Sequence, residues 1–418
     1  MVGTSLTGFA LAVWVFQKTG SVTQLALISV AAVLPGMLLS PFVGPWIDRW
    51  DRRLAMLGAD LLAGISTLVM AGLLWAQALQ TWHIYASVAV ASLCTAVQMP
   101  AWTAATSLLV PAKALGRASG MVQLGGAAAM LVGPATAGAM MGSLGVEGII
   151  AIDVATFLTA VLVLLVVRFP APTGQDPQDD KAPSPAQSLR ASARAWEHIK
   201  ARPGLLGLLG FALISNLCLG MVHVLITPLV LSFADPATLG TVMSTAGVGM
   251  LVGSVVMIAW GGPRNKAVGV AVFSMAQGAL LLLGGLQPSA WLVGAGAFGA
   301  LVAYPIVNAC NQTIWQMKIP PEMQGRVFAL RNAIASSTLP LAYLLAGPLA
   351  DGVFEPLLAH DGPLAGSLGQ VLGTGPGRGI GLLFMALGCL AIGASVAALA
   401  WRPLRQIETD LPDALPPS

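Results

Sequence analysis

The chain has 418 residues, of which 56% are hydrophobic and only 9% are charged, and its mean hydropathy is +0.81. Soluble globular domains carry about 25% charged residues, so this composition excludes a pair of soluble domains and indicates a polytopic membrane protein. The formal net charge of +3 is too small to indicate a protein that binds nucleic acid.

Twelve apolar runs follow one another along the chain. A helix needs about 17–25 predominantly apolar residues to cross the hydrocarbon core of a bilayer. We therefore predict an all-α integral membrane protein with twelve transmembrane helices. The predicted spans are 2–17, 25–45, 54–76, 82–106, 118–141, 146–168, 205–232, 238–260, 267–286, 289–315, 326–350 and 378–401.

The first predicted helix is short. At 1.5 Å per residue, Val2–Gln17 reaches about 24 Å, less than the hydrocarbon core of about 30 Å. We therefore expect this helix to be truncated and the natural protein to begin upstream of Met1.

A long polar stretch separates the sixth and seventh spans and divides the chain into two halves. We predict an N-terminal six-helix bundle (1–168), a cytoplasmic linker (169–203), a C-terminal six-helix bundle (204–401) and a cytoplasmic tail (402–418). Within the linker, residues 188–200 have the pattern of a short amphipathic helix.

Basic residues set the orientation. With twelve spans, all of the 20 Lys and Arg residues except Lys18 and Arg378 fall on one side of the membrane. Loops rich in Lys and Arg lie on the cytoplasmic side, so the linker and both termini are predicted to be cytoplasmic.

The two halves look like a parallel duplication. "VPAKALGR" aligns with "IPPEMQGR" at a single offset that brings Pro111 onto Pro320 and Arg117 onto Arg326. Two such halves related by an axis along the membrane normal form a known transporter plan with a central site near the middle of the bilayer.

Charged residues are concentrated in "GPWIDRWDRR", the loop between the second and third spans. This loop resembles the signature G-x-L-A-D-R-x-G-R-[RK] of the major facilitator superfamily. The positions that match are Gly44, Asp48, Arg49, Arg52 and Arg53. The resemblance implies a conformational latch in which these charges hold the outward-facing state.

Trp46 and Asp51 depart from the signature, and Asp51 replaces a glycine of the turn. A simpler interpretation is that the arginines only set the topology, which leaves Asp48 unexplained. Asp60, one to two turns into the third span, is interpreted as a structural partner of the latch.

Gly133, Pro134 and Gly138 in the fifth span resemble the Gly-Pro motif of exporters of this superfamily. Proline would kink the helix and glycine would permit close packing, and ordinary glycine-rich packing is the alternative interpretation. The whole chain is similar to the branch that contains macrolide exporters, the enterobactin exporter and the lysophospholipid transporter.

Two titratable residues within spans are candidates for proton coupling, because ionisable groups in a membrane are costly and usually functional. They are Asp153 in the sixth span and His223 in the seventh. For both, a structural role as a hydrogen-bonded core residue is the alternative.

In the superfamily, helices 1, 4, 7 and 10 line the central cavity. The resemblance therefore implies a mostly apolar cavity with a few amides and aromatic rings, which suits an amphipathic ligand. The candidate residues on these helices are Phe9, Trp14, Gln98, Asn216, Asn308, Asn311, Gln312 and Trp315.

Neither a phosphate-binding loop nor a convincing pair of nucleophile and base occurs in the sequence. The four cysteines are dispersed and predict neither a metal site nor a disulfide. We expect no enzymatic activity, no cofactor and no metal, so an ion gradient or the substrate gradient must supply the energy.

Together these features predict a monomeric transporter of a bacterial inner membrane that exports amphipathic, drug-like molecules by alternating access, with proton antiport. One alternative is a dedicated exporter of a siderophore or other metabolite, or a lysophospholipid flippase. A more remote one is a membrane receptor that does not transport.

Overall fold

The computed structural model describes residues 2–47, 52–109, 115–166 and 185–412, and every regular element in these ranges is helical. The first five long helices are α1 (Val2–Thr19), α2 (Val22–Ile47), α3 (Arg52–Trp75), α4 (Thr81–Leu109) and α5 (Leu115–Val166). The later ones are α6 (Pro185–Lys200), α7 (Pro203–Leu231), α8 (Pro236–Trp260), α9 (Lys266–Leu286), α10 (Ala290–Lys318), α11 (Pro321–Leu349) and α12 (Arg378–Ala400).

The helix α5 contains two of the predicted spans. They meet at Gly145, whose φ of 65° and ψ of −172° interrupt the helix and are readily adopted only by glycine. With the two segments of α5 counted separately, each predicted span corresponds to a helix. Among the described residues, nine helical segments are long and apolar enough to cross a membrane by length and composition.

Exposed tryptophans lie near the ends of the long helices. Trp75 at the end of α3 and Trp82 at the start of α4 are largely exposed, and Trp291 at the start of α10 is 89% exposed. Trp260 and Trp401 occupy the ends of α8 and α12. Tryptophan is enriched where a membrane meets water, so this placement fits helices that cross a bilayer from end to end.

The described chain divides into two compact units. Unit 1 comprises Met1–Ala182 and Pro236–Ser244, and it therefore contains α1 to α5 and the start of α8. Unit 2 comprises Pro183–Asp235 and Thr245–Ser418, which adds α6, α7, the rest of α8 and α9 to α12.

Close approach at small residues holds the helices of unit 1 together. In α2, a Cβ atom on Gly36 would lie 2.9 Å from the Ser92 carbonyl oxygen of α4, and the Ser92 hydroxyl accepts the Gly36 N–H at 3.1 Å. The ring of Phe157 covers Gly64 of α3 so closely that a Cβ would lie 1.9 Å from it. Such contacts are the usual means by which membrane helices pack.

Unit 2 uses the same device between α8 and α10. Gly249 and Gly253 form a G-x-x-x-G motif in α8, and Cβ atoms there would lie 2.3 Å and 2.1 Å from the carbonyl oxygens of Phe298 and Val302. Any side chain at either glycine would push these two helices apart.

The linker helix and the end of the chain pack onto unit 2. The amphipathic helix predicted near 188–200 is present as α6, and its Ala195 and Ile199 are fully buried. Beyond α12, Leu404 and Ile407 join the same hydrophobic cluster. The stretch after 401, interpreted from sequence as a tail, thus begins as part of the core of unit 2.

Polar contacts fix this terminal segment. The ammonium group of Lys318, at the end of α10, donates to the backbone oxygens of Glu408 at 2.6 Å and Leu411 at 2.5 Å. One carboxylate oxygen of Glu408 accepts the N–H of Ala267 in the first turn of α9 at 2.7 Å. The segment therefore ties the end of α10 to the start of α9.

Between α11 and α12 the chain forms a five-residue π-helical turn (Ala350–Phe354) and two short helices, Glu355–Leu357 and Gly369–Leu372. The Glu355 carboxylate accepts the N–H of Ile380 at 3.1 Å, so it caps the first turn of α12. The neighbouring Arg378 is buried and donates to the Leu372 carbonyl at 2.9 Å.

Candidate functional site

The proposed latch lies only partly within the described residues. Gly44 is part of α2, and Arg52 and Arg53 form the first turn of α3. Asp48 and Arg49 lie outside the described residues, so the latch stays a prediction from sequence.

Asp60 and Gln98 are brought together in unit 1. The Gln98 amide on α4 donates a short hydrogen bond to the Asp60 carboxylate on α3. From sequence, Asp60 is predicted to support the latch and Gln98 to line the substrate cavity. In this structure they form one polar link between two helices, because each satisfies the other's hydrogen-bonding group.

The glycines of the Gly-Pro motif are sites of close helix contact. A Cβ atom on Gly133 would lie 2.4 Å from the Ser5 hydroxyl of α1. A Cβ on Gly138 would lie 2.5 Å from the Pro236 carbonyl oxygen at the start of α8, and one on Gly240 would lie 2.3 Å from the Pro134 carbonyl oxygen. The motif thus forms a contact surface in unit 1 without room for side chains.

Ser244 of α8, which is not among the residues predicted from sequence, completes this contact. Its hydroxyl donates to the Leu131 carbonyl at 2.6 Å and accepts the Ala135 N–H at 3.1 Å. An uninterrupted α-helix pairs these two groups with each other, since the N–H of residue i bonds the carbonyl of residue i−4. Pro134 between them is the sequence signal that an outside partner is needed at this turn.

Asp153 lies in the second segment of α5 and faces α1. A Cβ atom on Gly3 would lie 2.5 Å from an Asp153 carboxylate oxygen, so only glycine leaves room for that group. The Thr156 hydroxyl donates to the Asp153 backbone oxygen at 2.9 Å. The Thr7 hydroxyl, in a side chain only 7% exposed, interacts with the carboxylate but makes no hydrogen bond of standard geometry.

His223 and Asn216 lie on α7 in unit 2. The imidazole of His223 is exposed, and its ring centre lies 6.3 Å from that of Tyr343 on α11. The amide of Asn216 donates to the Ala335 carbonyl of α11 at 3.4 Å, a long bond. Both predicted residues therefore face α11, and His223 keeps a surface that the protein does not cover.

The two aromatic residues predicted on α1 have different surroundings. Phe9 is buried in unit 1. Trp14 lines an open cavity of about 610 Å³ in which Lys18 lies over its ring, 4.4 Å from the ring centre. The other residues that line this cavity are Gln17, Leu74, Trp75, Gln77, Leu79 and Glu147.

The four predicted residues on α10 fall into two groups. Asn308 is exposed, whereas Trp315 is fully buried in the core cluster of unit 2 and donates its indole N–H to Asn311 at 3.1 Å. Gln312 accepts a hydrogen bond from Arg331 of α11 at 2.8 Å. Trp315, predicted from sequence as a cavity residue, therefore packs in the core of unit 2 in this structure.

The class of protein follows from these observations. Apolar helices long enough to cross a membrane carry single polar groups that bond across helix contacts. Within the described ranges, no group of three or more His, Cys, Asp and Glu residues could hold a metal ion. The chain is a polytopic helical membrane protein.

Its family is shown by sequence. The model of the Major Facilitator Superfamily matches residues 1–342. The chain belongs to this superfamily, whose members are transporters and not enzymes.

Several relatives are named for efflux. The chain is 25% identical over 364 residues to macrolide efflux protein A of Streptococcus pyogenes, an alignment that covers 84% of this chain and 87% of the relative. It is 25% identical over 358 residues to the multidrug efflux pump Tap of Mycobacterium tuberculosis, with coverage of 84% and 83%. An MFS-type transporter of Bacillus subtilis, YfiS, is 26% identical over 396 residues, with coverage of 90% and 84%.

Solved structures support the fold. A bacterial homologue of the human lysosomal transporter Spinster, in an inward-facing and unoccupied conformation, superposes with a TM-score of 0.63 at 16% identity and covers 95% of both chains. The nucleoside transporter NupG gives the same TM-score at 11% identity, with coverage of 95% and 99%. The predicted superfamily fold is therefore confirmed.

Proposed function

We propose that this chain is a secondary active transporter that exports amphipathic, drug-like molecules by alternating access in exchange for protons. Membership of the superfamily and the efflux functions named for its relatives support export of small molecules. We place the transporter in a bacterial inner membrane, as a monomer with both termini in the cytoplasm. The bias of Lys and Arg toward one predicted side supports this orientation.

The observation that carries proton coupling is the position of Asp153. Its carboxylate lies within a membrane-spanning segment, against Gly3 and Thr7 of α1. A charged group at such a depth is costly, so binding and release of a proton would change the energy of the contact between α1 and α5. His223 is the second candidate, because its imidazole is not covered by the protein.

The polar and aromatic groups that remain accessible are the candidates for contact with the ligand. Trp14 offers a ring in an open cavity, and Asn308 offers an exposed amide. The cavity mixes apolar side chains with polar and charged ones, and such a lining favours an amphipathic ligand, since burial of the apolar part supplies affinity and the polar groups orient it.

The test is transport in proteoliposomes under an imposed proton gradient, with macrolides, catechol siderophores and lysophospholipids as ligands. Wild-type protein should accumulate at least one ligand class only when the gradient is present. Asp153→Asn should reduce this gradient-driven accumulation at least tenfold, because an amide cannot exchange a proton. Asp361→Asn, the same substitution at an exposed carboxylate outside the membrane-spanning segments, should behave as wild type.

Two results would contradict the proposal. Accumulation by Asp153→Asn equal to that of wild type would remove Asp153 from the coupling mechanism. Movement of a ligand that does not respond to the gradient in wild type would replace antiport with a facilitator or flippase.

A further inference from the structure

Arg331 lies within a membrane-spanning segment of unit 2. It is ten residues into α11, or about 15 Å from the first residue of that helix. Helical side chains lean toward the N-terminus of their helix, so the guanidinium reaches back toward the end of α11 that begins at Pro321. That end carries the exposed Arg326 and is predicted to be cytoplasmic.

Neutral groups hold the guanidinium in place. Its Nη2 donates to the Gln312 amide oxygen of α10 at 2.8 Å. The guanidinium carbon lies 5.4 Å from the centre of the Trp315 ring and 5.8 Å from that of Phe328. Aromatic rings attract a cation through their faces, and together with the amide they fix the orientation of the guanidinium.

Among the residues that the structure describes, the charge of Arg331 has no compensating anion. No carboxylate of the described residues interacts with Arg331, and its Nη1 is covered without a hydrogen-bond partner. Arg331 is only partly buried, but a cation within a membrane-spanning segment is costly without a counter-ion, and intramembrane arginines usually pair with an anion or contact a substrate path.

The two buried cations described in unit 2, Lys318 and Arg378, both donate to backbone oxygens. Lys318 donates to two backbone oxygens of the terminal segment. Arg378 also has one covered nitrogen, Nη2, without a hydrogen-bond partner, but it donates to the Leu372 carbonyl and interacts electrostatically with Glu355. Arg331 differs from both in that no described carboxylate interacts with its guanidinium, although that group is held in one orientation.

We propose that Arg331 binds the anionic group of an amphipathic ligand, such as a carboxylate, phosphate or sulfonate. Gln312 orients the planar donors, which match two oxygens of such a group. Phe328, which is only partly buried, must turn aside to expose Nη1, and its ring then contacts the apolar part of the ligand, whereas Trp315 stays packed in the core cluster. The inference rests on the proposed function in taking the ligand to be an export substrate, and it narrows the substrate class to anionic amphiphiles.

The test compares two probes of equal chain length, n-dodecyl phosphate and n-dodecyltrimethylammonium. Equilibrium binding of each radiolabelled probe is measured to the full chain in phosphatidylcholine nanodiscs without any gradient. Wild type should bind the phosphate probe at least tenfold more tightly than the ammonium probe. Arg331→Gln should remove this preference, whereas Arg326→Gln, the exposed arginine on the same helix, should keep it.

Arg331→Lys keeps the charge but loses the planar pair of donors, so it should retain only part of the preference. Equal binding of both probes by wild type would overturn the proposal. An equal loss of the phosphate preference in Arg331→Gln and Arg326→Gln would also overturn the proposal, because such a result would indicate a general attraction of anions to basic residues. A folded Arg331→Gln protein with an unchanged preference would assign Arg331 a structural role instead.

A lipid is another source of the same anionic chemistry. Strong competition by phosphatidylglycerol in the nanodiscs would identify a lipid as an occupant of the site, and weak competition would favour an exported ligand. Gradient-driven export that is equal in wild type and Arg331→Gln would contradict this inference and leave the proposed function intact. If the protein binds the phosphate probe through Arg331 but transports no ligand, the proposed function is contradicted and the inference about Arg331 is kept.

Discussion

At the scale of single residues, polar side chains bond backbone groups that a proline leaves unpaired, or link two helices, within the apolar core of the membrane. Ser244 bonds two backbone groups beside Pro134, and Gln98 bonds Asp60. Within a bilayer there is no water to satisfy such groups, so each depends on a partner in another helix. Each of these hydrogen bonds is therefore lost if the two helices separate.

The Ser244 contact gives a test at this scale. Ser244→Ala removes the partner of both Leu131 and Ala135, and we expect it to cost about 1 kcal/mol, the usual size of a hydrogen bond between membrane helices. The free energy of unfolding in mixed detergent with increasing SDS measures this cost.

The control is Ser254→Ala on the same helix. The Ser254 hydroxyl donates to the Met250 carbonyl of its own helix at 2.8 Å, so its loss breaks no contact between helices. Equal stability of Ser244→Ala and Ser254→Ala would show that the Ser244 hydroxyl contributes nothing to the packing of α5 against α8.

At the scale of helices, glycine decides how closely α5 approaches its neighbours. Gly138→Ala would place a methyl group 2.5 Å from the Pro236 oxygen. The start of α8 must then shift, which we expect to cost about 1–3 kcal/mol, as overpacking of a tight contact usually does. The same SDS titration measures the change.

Gly142 is the matched control, because a Cβ atom there meets nothing within 4 Å. Alanine is a better helix former than glycine, so Gly142→Ala should be neutral or stabilising by up to about 1 kcal/mol. If Gly138→Ala is as stable as Gly142→Ala, the close contact in the structure does not limit packing.

The positions of the helices could be predicted from sequence, because hydrophobic length reports how a segment partitions into a membrane. The break at Gly145 sits where the predicted fifth and sixth spans meet. Contacts between helices could not be predicted in this way. Asp60 and Gln98 are 38 residues apart, and hydropathy says nothing about which faces of α3 and α4 meet.

The same limit applies to Trp315. Its position on α10 and its aromatic ring suggested a cavity, yet the ring is 0% exposed because α6 and the terminal segment close over this end of unit 2. Short segments outside the membrane have no strong hydrophobic signal, so their packing could not be read from the sequence.

At the scale of the whole molecule, these outer segments extend the core of unit 2 beyond its membrane helices. Ile199 of α6 and Ile407 of the terminal segment are both fully buried in one cluster with Trp315. Burial also lowers the pKa of His198 on α6, with the charge of Arg202 as a second cause, so the imidazole stays neutral at physiological pH. A neutral ring is easier to bury against this cluster than a charged one.

The terminal segment after residue 401 should therefore contribute to the stability of the protein. Ile407→Ala removes a fully buried side chain next to Lys318 and Glu408, and in a rigid core we expect a loss of about 2–5 kcal/mol. Thr409→Ala changes an exposed residue two positions away and should leave stability within about 0.5 kcal/mol of wild type. Thermal unfolding in detergent, followed by size-exclusion chromatography, should show a lower midpoint only for Ile407→Ala. If both variants unfold like wild type, the segment is a dispensable attachment, and the bonds from Lys318 to the Glu408 and Leu411 backbones do not hold the ends of α9 and α10 together.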